Sequence, residues 1–434
     1  LDLLTVVEEK RPVIEAQVKE ALYNAPEGAR PRIVGGYDLQ GRLLFKEAMA
    51  LDPVEIALGL AHVLRNEGRA TPEIEAAAAK LAEADARLGG GAIAERRPWF
   101  CAGCPHNTST RVPDGSRAYA GIGCHYMAQW MDRETEGFTH MGGEGANWIG
   151  ERHFSNRVHV FQNMGDGTYN HSGIQSIRAA VAAGATMTYK ILYNDAVAMT
   201  GGQANDGGLT AYRIVDELRA IGVREIVAVY DPKEAFDPER LPEGVRSAPR
   251  DDLMTVQEEL REKPGVTAIV YIQTCAAEKR RRRKKGTFPE ADARVFINPE
   301  VCEGCGDCSR ASNCIAVLPL ETELGRKRQI DQSACNRDFS CLDGFCPSFV
   351  TLKGAKVRKG GGQAVTVPDL PEPSLPALSR PWNIVVTGVG GSGVVTVGAL
   401  ISMAAHLEGK GAGEMQMAGL AQKGGAVSIH VRVA

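Results

Sequence analysis

An apolar run ends in a glycine-flanked aspartate at Val158-His159-Val160-Phe161-Gln162-Asn163-Met164-Gly165-Asp166-Gly167. The run predicts a β-strand, the apolar spacing over residues 174–183 predicts a helix, and residues 187–193 predict a second strand. Asn194 follows that second strand, after 26 intervening residues, 168–193. Strand, helix and strand in this order form a βαβ unit, so the sequence predicts a parallel α/β domain.

Two oxygen-bearing side chains are expected at one edge of this sheet. Asp166 follows the first strand and Asn194 the second, and the carboxyl ends of neighbouring parallel strands meet at the same edge. Hard oxygen ligands suit Mg²⁺ that bridges a diphosphate, and glycines let backbone N–H groups face phosphate oxygens. The alternative is an ordinary βαβ turn, because Gly-Asp-Gly alone is weak evidence. The strand–helix–strand context favours the metal–diphosphate site.

The composition indicates a globular protein of several domains. The chain has 434 residues, 24% charged and 44% hydrophobic, which excludes a disordered tail and a disulfide-rich miniprotein. Apolar stretches such as 394–400 are shorter than the roughly 18 residues needed to cross a bilayer. A net charge of −3 argues against a dedicated nucleic-acid binder. We therefore expect neither a membrane nor a nucleic acid as a partner.

All 11 cysteines lie between Cys101 and Cys346. Their spacing includes Cys-x2-Cys at 101–104, Cys-x2-Cys-x2-Cys at 302–308, and Cys-Pro at 346–347. Disulfide frameworks belong to small secreted domains. Two Cys-x2-Cys pairs would satisfy Zn²⁺, but the third cysteine of 302–308 would stay unexplained. Three thiolates spaced in this way, with a remote Cys-Pro, are typical of iron–sulfur ligation.

Shifts in composition divide the chain into five segments. Residues 1–96 have no cysteine and are rich in helix signals, and a proline- and glycine-rich linker is expected near residue 370. The predicted segments are 1–96, 97–292, 293–355, 356–381 and 382–434. Because the sequence starts at Leu1 without a methionine and stops in an alternating run at Ala434, we expect an internal piece of a longer polypeptide.

Several further motifs occur in a characteristic order. They are Val6-Val7-Glu8-Glu9-Lys10-Arg11, Cys101-Ala102-Gly103-Cys104-Pro105-His106, Gly121-Ile122-Gly123-Cys124, Met141-Gly142-Gly143-Glu144-Gly145, the Gly-Asp-Gly site, the ferredoxin-like cysteine block, Gly388–Gly393 and Gln422-Lys423-Gly424-Gly425. Together they resemble the 2-oxoacid:ferredoxin oxidoreductases, and among them the long single-chain bacterial indolepyruvate type. The resemblance covers essentially the whole chain.

The resemblance implies a fold for each segment. A parallel-sheet α/β domain that binds thiamine diphosphate is expected over 97–292, with an inserted ferredoxin-like α+β iron–sulfur domain over 293–355. Partial α/β domains are expected on both sides. Residues 1–96 would be the C-terminal part of a transketolase C-terminal-like domain with a helical connection, and residues 382–434 the truncated start of the gamma domain.

The resemblance also implies a cofactor, thiamine diphosphate bound with Mg²⁺. Asp166 and Asn194 would supply side-chain oxygens to the metal, and Ala196 a backbone carbonyl. The other residues expected to contact the cofactor are Gly165, Gly167, Gly142, Gly143 and Glu144. The glutamate that activates thiamine in this family is expected upstream of Leu1. No catalytic residue is therefore assigned, and the chain alone is expected to be inactive.

Three iron–sulfur ligand sets are implied, which gives two or three clusters. The proximal [4Fe–4S] set is Cys101, Cys104, Cys124 and Cys275; the second set is Cys314, Cys335, Asp338 and Cys341; the outer [4Fe–4S] set is Cys302, Cys305, Cys308 and Cys346. Asp338 stands where a cysteine is expected, so the second cluster would be aspartate-ligated or a [3Fe–4S] cluster. The alternatives are that Cys275 is a buried small hydrophobe and that Asp338 is a surface residue beside no cluster.

The activity implied is oxidative decarboxylation of aryl 2-oxo acids such as indolepyruvate. Coenzyme A would be the co-substrate, acyl-CoA and CO2 the products, and ferredoxin the electron acceptor, in a cytoplasmic homo-oligomer. One alternative is a pyruvate or 2-oxoglutarate oxidoreductase of the same superfamily. The other is an iron–sulfur electron carrier without chemistry of its own.

Two motifs stay open between structural and functional interpretations. The basic run Lys279–Lys285 is a solvated helix face, a docking surface for an acidic ferredoxin through electrostatic steering, or a nuclear-localisation or nucleic-acid segment. The glycines of 388–393 form a tight turn or a phosphate-binding turn.

Overall fold

The computed structural model describes residues 2–88, 98–355, 371, 374, 377–389, 392–416 and 426–434. It divides into two compact units, 1–96 and 97–434, which are described separately. Most of the predicted linker, part of the glycine turn at 388–393 and all of 422–425 lie outside the described residues. In the described part of the chain, every helix is too short or too polar to cross a membrane.

The first unit is a small α/β structure. Its strands pair in parallel, and its second helix begins at a capping box in which Asp52 accepts from Val54 N and Glu55 accepts from Asp52 N. Arg65 and Glu75 join the second and third helices at 2.6 Å. The elements are β1 (Leu3–Thr5), α1 (Val13–Leu22), β2 (Arg32–Val34), α2 (Pro53–Asn66) and α3 (Pro72–Leu88).

The second unit begins with a larger α/β domain. Its strands are β3 (Ala118–Ala120), β4 (Thr135–Phe138), β5 (Phe161–Gly165), β6 (Met187–Tyr193), β7 (Glu225–Tyr230), β8 (Arg246–Pro249) and β9 (Val266–Ile272). Its helices are α4 (His106–Ser109), α5 (Ala146–Glu151), α6 (Asp166–Thr168), α7 (Ile174–Ala182), α8 (Ala211–Ala220), α9 (Leu253–Arg261) and α10 (Ala276–Lys284).

These seven strands form one sheet in the order β4-β3-β5-β6-β9-β7-β8, and every pair is parallel. Side chains of β9 alternate between two cores. Ala268 and Val270 pack with α7 and α8 on one face, whereas Ile269 and Tyr271 pack with α9 on the other. Burial on both faces is what the near-continuous apolar strands require. The predicted parallel α/β fold is confirmed.

The βαβ unit is present with one shift at its start. The predicted helix and second strand are confirmed as α7 and β6. The first strand begins at Phe161, where pairing with β3 begins, and not at Val158, whose side chain is 80% exposed. The apolar pattern begins at Val158, before the point where β3 offers a partner strand, so the pattern alone placed the start of the strand too early.

The cysteine-dense block and the C-terminal segment have antiparallel sheets. The first contains β10 (Ala293–Ile297), α11 (Asp307–Ser312), β11 (Val317–Thr322), β12 (Gly325–Ile330) and β13 (Phe349–Lys353), with β10 paired to β13 and β11 to β12. The second contains β14 (Trp382–Val389), α12 (Val394–Leu407), β15 (Ala412–Gln416) and β16 (Ala426–Val433), in sheet order β14-β16-β15. The alternating run before residue 434 is β16, as predicted.

Candidate functional site

A cavity of about 420 Å³ lies at the carboxyl ends of β5 and β6. Gly165 and Asp166 line it from the end of β5, and Asn194 and Ala196 line it from the end of β6. The parallel sheet therefore brings together the four residues that the sequence placed at this edge. Gly167 lines the same cavity.

Asp166 is buried among neutral hydrogen-bond donors. Its Oδ1 accepts from Gly167 N at 2.9 Å, and its Oδ2 accepts from Asn194 N at 3.1 Å and Asn205 Nδ2 at 3.0 Å. Burial raises the pKa of Asp166 from 3.8 to about 6, although these hydrogen bonds oppose the rise. These three partners are uncharged, and a divalent cation would supply a countercharge for the carboxylate.

Two amide oxygens beside Asp166, Asn194 Oδ1 and Asn205 Oδ1, are buried without a hydrogen-bond partner among the residues that the structure describes. Unsatisfied buried oxygens are costly, and carbonyl-type oxygens are ligands that Mg²⁺ prefers. The donor set therefore fits a magnesium ion. Sequence reasoning missed Asn205, because it lies in a polar loop without the spacing that singled out Asn194.

The glycine loop before α5 lies behind the cavity. Glu144 is fully buried; its Oε2 accepts from Gly142 N at 2.6 Å and its Oε1 from Ile122 N at 3.3 Å. Ile122 and Met141 line the cavity, whereas Gly142, Gly143 and Glu144 are not among its lining residues. Their contact with a cofactor stays a prediction; what the structure shows is that Glu144 ties two loop backbones together.

Two buried histidines that the sequence analysis did not select also line the cavity, His106 and His125. Their rings meet edge to face at 5.5 Å. Burial, helped by Arg133, lowers the pKa of His106 to about 4, and burial beside His106 holds the pKa of His125 well below its usual value. Both rings are therefore neutral near pH 7. Their position directly after Cys104-Pro105 and Cys124 was the available signal.

The four proximal cysteines surround a neighbouring cavity of about 30 Å³. It shares His106, Asn194 and Met199 with the larger cavity. Cys275 lines it together with the other three. A cysteine that only filled space in the core would not need to share a cavity with three other cysteines. The four cysteines are Cys101, Cys104, Cys124 and Cys275.

The remaining two predicted sets each line a cavity of their own. One, of about 20 Å³, is lined by Cys314, Cys335, Asp338 and Cys341, and the other, of about 220 Å³, by Cys302, Cys305, Cys308 and Cys346. The donor chemistry of each set fits an iron–sulfur cluster. The cavities of the proximal and second sets, about 30 Å³ and 20 Å³, would have to widen to hold one. Among the described residues, no three His, Cys, Asp or Glu side chains are grouped closely enough for a single metal ion.

Asp338 is the second set's exception, and its carboxylate already has partners. Arg250 Nη1 lies 2.5 Å from Oδ1, and Gln273 Nε2 donates to the same oxygen at 3.0 Å. Burial alone would raise the pKa of Asp338, but Arg250 outweighs it and holds that pKa below its usual value. With a side chain only 7% exposed, Asp338 is not a surface residue. Its role as a cluster ligand stays a prediction.

Gly103 joins the proximal and second cysteine sets. Its φ is +65°, and a Cβ built there would lie 3.1 Å from the Cβ atoms of Asn336 and Asp338. Gly103→Ala should therefore lower the free energy of unfolding by about 1–3 kcal/mol more than Gly115→Ala, because a methyl group there overpacks the contact. Gly115 is the matched control, with φ +73° and open space around it. Urea denaturation measures both; equal losses would contradict a tight contact between the two loops.

Comparison with known proteins gives a consistent result along the chain. Three family models match: an indolepyruvate oxidoreductase domain over residues 1–88, a C-terminal thiamine pyrophosphate binding domain over 121–269, and a pyruvate ferredoxin/flavodoxin oxidoreductase model over 383–434.

Curated relatives point the same way. Indolepyruvate oxidoreductase subunit IorA of Thermococcus kodakarensis is 27% identical over 80% of this chain and 52% of its own length, and that of Archaeoglobus fulgidus is 30% identical over 60% and 40%. Subunit IorB of A. fulgidus is 45% identical over 12% of this chain and 25% of its own length. The chain thus spans about half the length of the IorA relatives or less.

Among solved structures, a 2-oxoglutarate:ferredoxin oxidoreductase from Magnetococcus marinus matches with 17% identity and a TM-score of 0.33, covering 45% of this chain and 67% of its own. A putative thiamin diphosphate-dependent enzyme from Mycobacterium smegmatis matches with 16% identity and a TM-score of 0.28, covering 63% and 48%. The family models and curated relatives agree with the resemblance drawn from the motifs: this chain is similar to subunit IorA of the indolepyruvate oxidoreductases over most of its length.

Proposed function

We propose that this chain is part of a thiamine-diphosphate-dependent oxidoreductase that oxidatively decarboxylates aryl 2-oxo acids, indolepyruvate among them, with coenzyme A as co-substrate. One observation carries the proposal. A buried carboxylate and two unsatisfied amide oxygens line a cavity at the carboxyl edge of a parallel sheet, and that cavity shares lining residues with a cavity of four cysteines.

Asp166, Asn194 and the backbone carbonyl of Ala196 would hold Mg²⁺ and, through it, the diphosphate. Bound thiamine diphosphate would supply the chemistry for decarboxylating a 2-oxo acid. The protein contributes the position of that cofactor and a cavity wall that carries no charge at His106 and His125. Neutral imidazoles can donate and accept hydrogen bonds at a substrate without repelling the metal.

The arrangement of the cysteine sets supports an outward path for electrons. Oxidation of the substrate releases electrons that need an acceptor. The proximal set adjoins the cofactor cavity, Gly103 joins it to the second set, and α11 with Cys308 packs on the turn 340–342 that carries Cys341. In the outer set, Cys305 and Cys346 are exposed, where an external acceptor such as ferredoxin could dock.

Similarity to both IorA and IorB in one chain favours a single-chain enzyme that combines what those relatives hold in two subunits. The described lining of the cavity includes small and flexible side chains such as Ala198 and Met199, which can admit substrates of different size. Pyruvate and 2-oxoglutarate are therefore kept as competing substrates. Cytoplasmic location and a homo-oligomeric state stay predictions.

The test is an assay of the natural full-length protein, purified without oxygen. We expect indolepyruvate to reduce a low-potential dye only when thiamine diphosphate, Mg²⁺ and coenzyme A are all present, with kcat/KM at least about tenfold above that for pyruvate or 2-oxoglutarate, a difference of about 1.4 kcal/mol. Faster turnover of another 2-oxo acid would replace the substrate assignment. Full iron content without any cofactor-dependent reduction would favour a plain electron carrier.

A further inference from the structure

The basic run Lys279–Lys285 forms most of α10, which starts directly after Cys275. A charge run is expected to face solvent or an acidic partner. In the structure, four consecutive arginines of this helix, 280–283, bind groups of the same chain. The helix thus lies between two loops and contacts both.

One side of α10 holds the loop that follows β6. Arg282 Nη2 lies 2.7 Å from Asp195 Oδ2 and donates to Asp195 O at 3.4 Å. Arg281 Nη2 donates to Gly201 O at 2.9 Å. Asp195 and Gly201 are the two ends of a segment, 195–201, most of which lines the cofactor cavity. The proposed metal ligand Ala196 lies within this segment, and Asn194 lies directly before it.

The backbone of Asp195 adopts a left-handed conformation that needs support from its neighbours. Its φ of +58° is uncommon for a residue other than glycine, and it stands between the proposed ligands Asn194 and Ala196. Tyr193 Oη donates to Oδ1 at 3.1 Å, while Arg282 holds Oδ2. Both carboxylate oxygens are therefore held, at the bend between Asn194 and Ala196.

The other side of α10 holds the loop of the second cysteine set. Arg283 Nη1 donates to Asn336 Oδ1 at 2.7 Å and to Asn336 O at 3.1 Å, and Arg280 Nη2 donates to Ala334 O at 2.5 Å. Asn336 Nδ2 returns a hydrogen bond to Ala276 O at 2.8 Å. Asn336 is buried and directly follows Cys335.

The helix itself is anchored at its start. Cys275 N donates to Asn194 O at 2.9 Å, so a proposed proximal-cluster ligand and a proposed metal ligand are joined through the backbone. One turn later, Lys279 pairs with Glu234 at 2.5 Å, and both side chains are buried. Glu234 Oε2 also accepts from Thr274 N at 2.8 Å. An element fixed in this way can transmit a position from one loop to the other.

We propose that α10 is an internal bracket, in which Arg282 and Arg281 position the metal-binding loop and Arg283 and Arg280 position the second cysteine loop. The proposal rests on the proposed function, because it concerns the separation between the thiamine diphosphate site and the clusters. Within the described part of the chain, only Lys284 and Lys285 of the basic run are exposed without a side-chain hydrogen bond or ion pair. The run is thus chiefly an internal link and not a docking surface.

The test compares single charge removals on one helix, in the natural full-length protein. Arg282→Gln should raise the dissociation constant of thiamine diphosphate with Mg²⁺ about tenfold, the effect of losing charge-assisted hydrogen bonds, and leave the cluster EPR signals unchanged. Arg283→Gln should leave that constant within about twofold and change the EPR signal of the second cluster. Lys284→Gln, which removes the same charge, should change neither. Arg282→Lys should restore only part of the affinity, because the shorter lysine side chain ends before the position of Arg282 Nη2, the atom that makes both contacts.

The outcomes separate the bracket from the function on which it rests. If the wild type does not bind thiamine diphosphate, the proposed function fails and the cofactor side of the bracket fails with it. If the wild type binds and Arg282→Gln binds equally well, the bracket is overturned while the function stands. A rise in the KM for ferredoxin on Lys284→Gln, with Arg282→Gln unaffected, would overturn it in favour of a docking surface. Arg281→Gln, at a 44% exposed side chain, replaces Arg282→Gln if that variant does not fold.

Discussion

Asp166→Asn should abolish Mg²⁺-dependent binding of thiamine diphosphate, with the dissociation constant at least about 100-fold higher, and still leave a folded protein. Asparagine keeps the shape of the side chain, and its Oδ1 can still accept a backbone hydrogen bond. It removes the one charged ligand of the proposed metal set, and hard divalent cations depend on carboxylate charge for affinity. Titration calorimetry on the cofactor-free protein measures the loss.

The same change should stabilise the protein when cofactor and metal are absent. Because burial raises the pKa of Asp166 from 3.8 to about 6, the group's contribution to folding is fully present below pH 3.8 and is lost as the pH rises through about 6. At pH 8 the wild type carries the cost of an ionised buried carboxylate, about 1–3 kcal/mol, whereas the asparagine variant carries only the smaller cost, about 1 kcal/mol, of the hydrogen bond that its amide N–H2 cannot accept. The advantage of the variant should disappear near pH 4.

The control is Asp206→Asn, because Asp206 lines the same cavity and is exposed. It should change the dissociation constant of the cofactor by less than about twofold and the free energy of unfolding by less than about 0.5 kcal/mol. Equal binding by wild type and Asp166→Asn would remove Asp166 from the metal site and with it the observation that carries the proposed function.

What the sequence could predict is what its local patterns encode. The β5–α7–β6 unit follows from apolar periodicity, and Asp166 and Asn194 follow from where two strands end. The iron–sulfur character of the block 302–346 follows from cysteine spacing, whereas the proximal set follows only from the family resemblance. The arrangement of the cysteine sets around three cavities needed the fold, since Cys275 lies 151 positions beyond Cys124.

What the sequence could not predict depends on contacts between distant segments. Asn205 reaches Asp166 across 39 positions, and Arg250 reaches Asp338 across 88. The partners of the α10 arginines could not be predicted for the same reason, because Asp195 and Asn336 come near Arg282 and Arg283 only in the folded chain. Local charge patterns carry no information about such partners.

Asp338→Asn should lower the free energy of unfolding toward the lower end of the about 3–5 kcal/mol that breaking a buried ion pair costs. Arg250 is 6% exposed, and although burial opposes its charge, Asp338 together with Asp231 and Tyr271 raises the pKa of Arg250. Without Asp338, Asp231 would remain 3.4 Å from the guanidinium, which limits the loss. Asp343→Asn, at an exposed acid nearby, should cost less than about 0.5 kcal/mol. Urea denaturation of both variants gives the comparison.

Iron counting on the folded fraction then tests the second role proposed for Asp338. A carboxylate that ligates a cluster should cost the asparagine variant iron and change its EPR signal, and Asp338→Cys should raise the iron content. If the carboxylate only pairs with Arg250, the asparagine variant should keep its iron content and its EPR signal while its free energy of unfolding falls. The triple variant Asp231→Asn, Arg250→Met, Asp338→Asn separates the two effects, because removing the buried cation together with both carboxylates that face it should recover most of the lost stability without restoring a missing ligand. If that variant recovers the free energy of unfolding but still contains less iron than the wild type, Asp338 both ligates the cluster and pairs with Arg250.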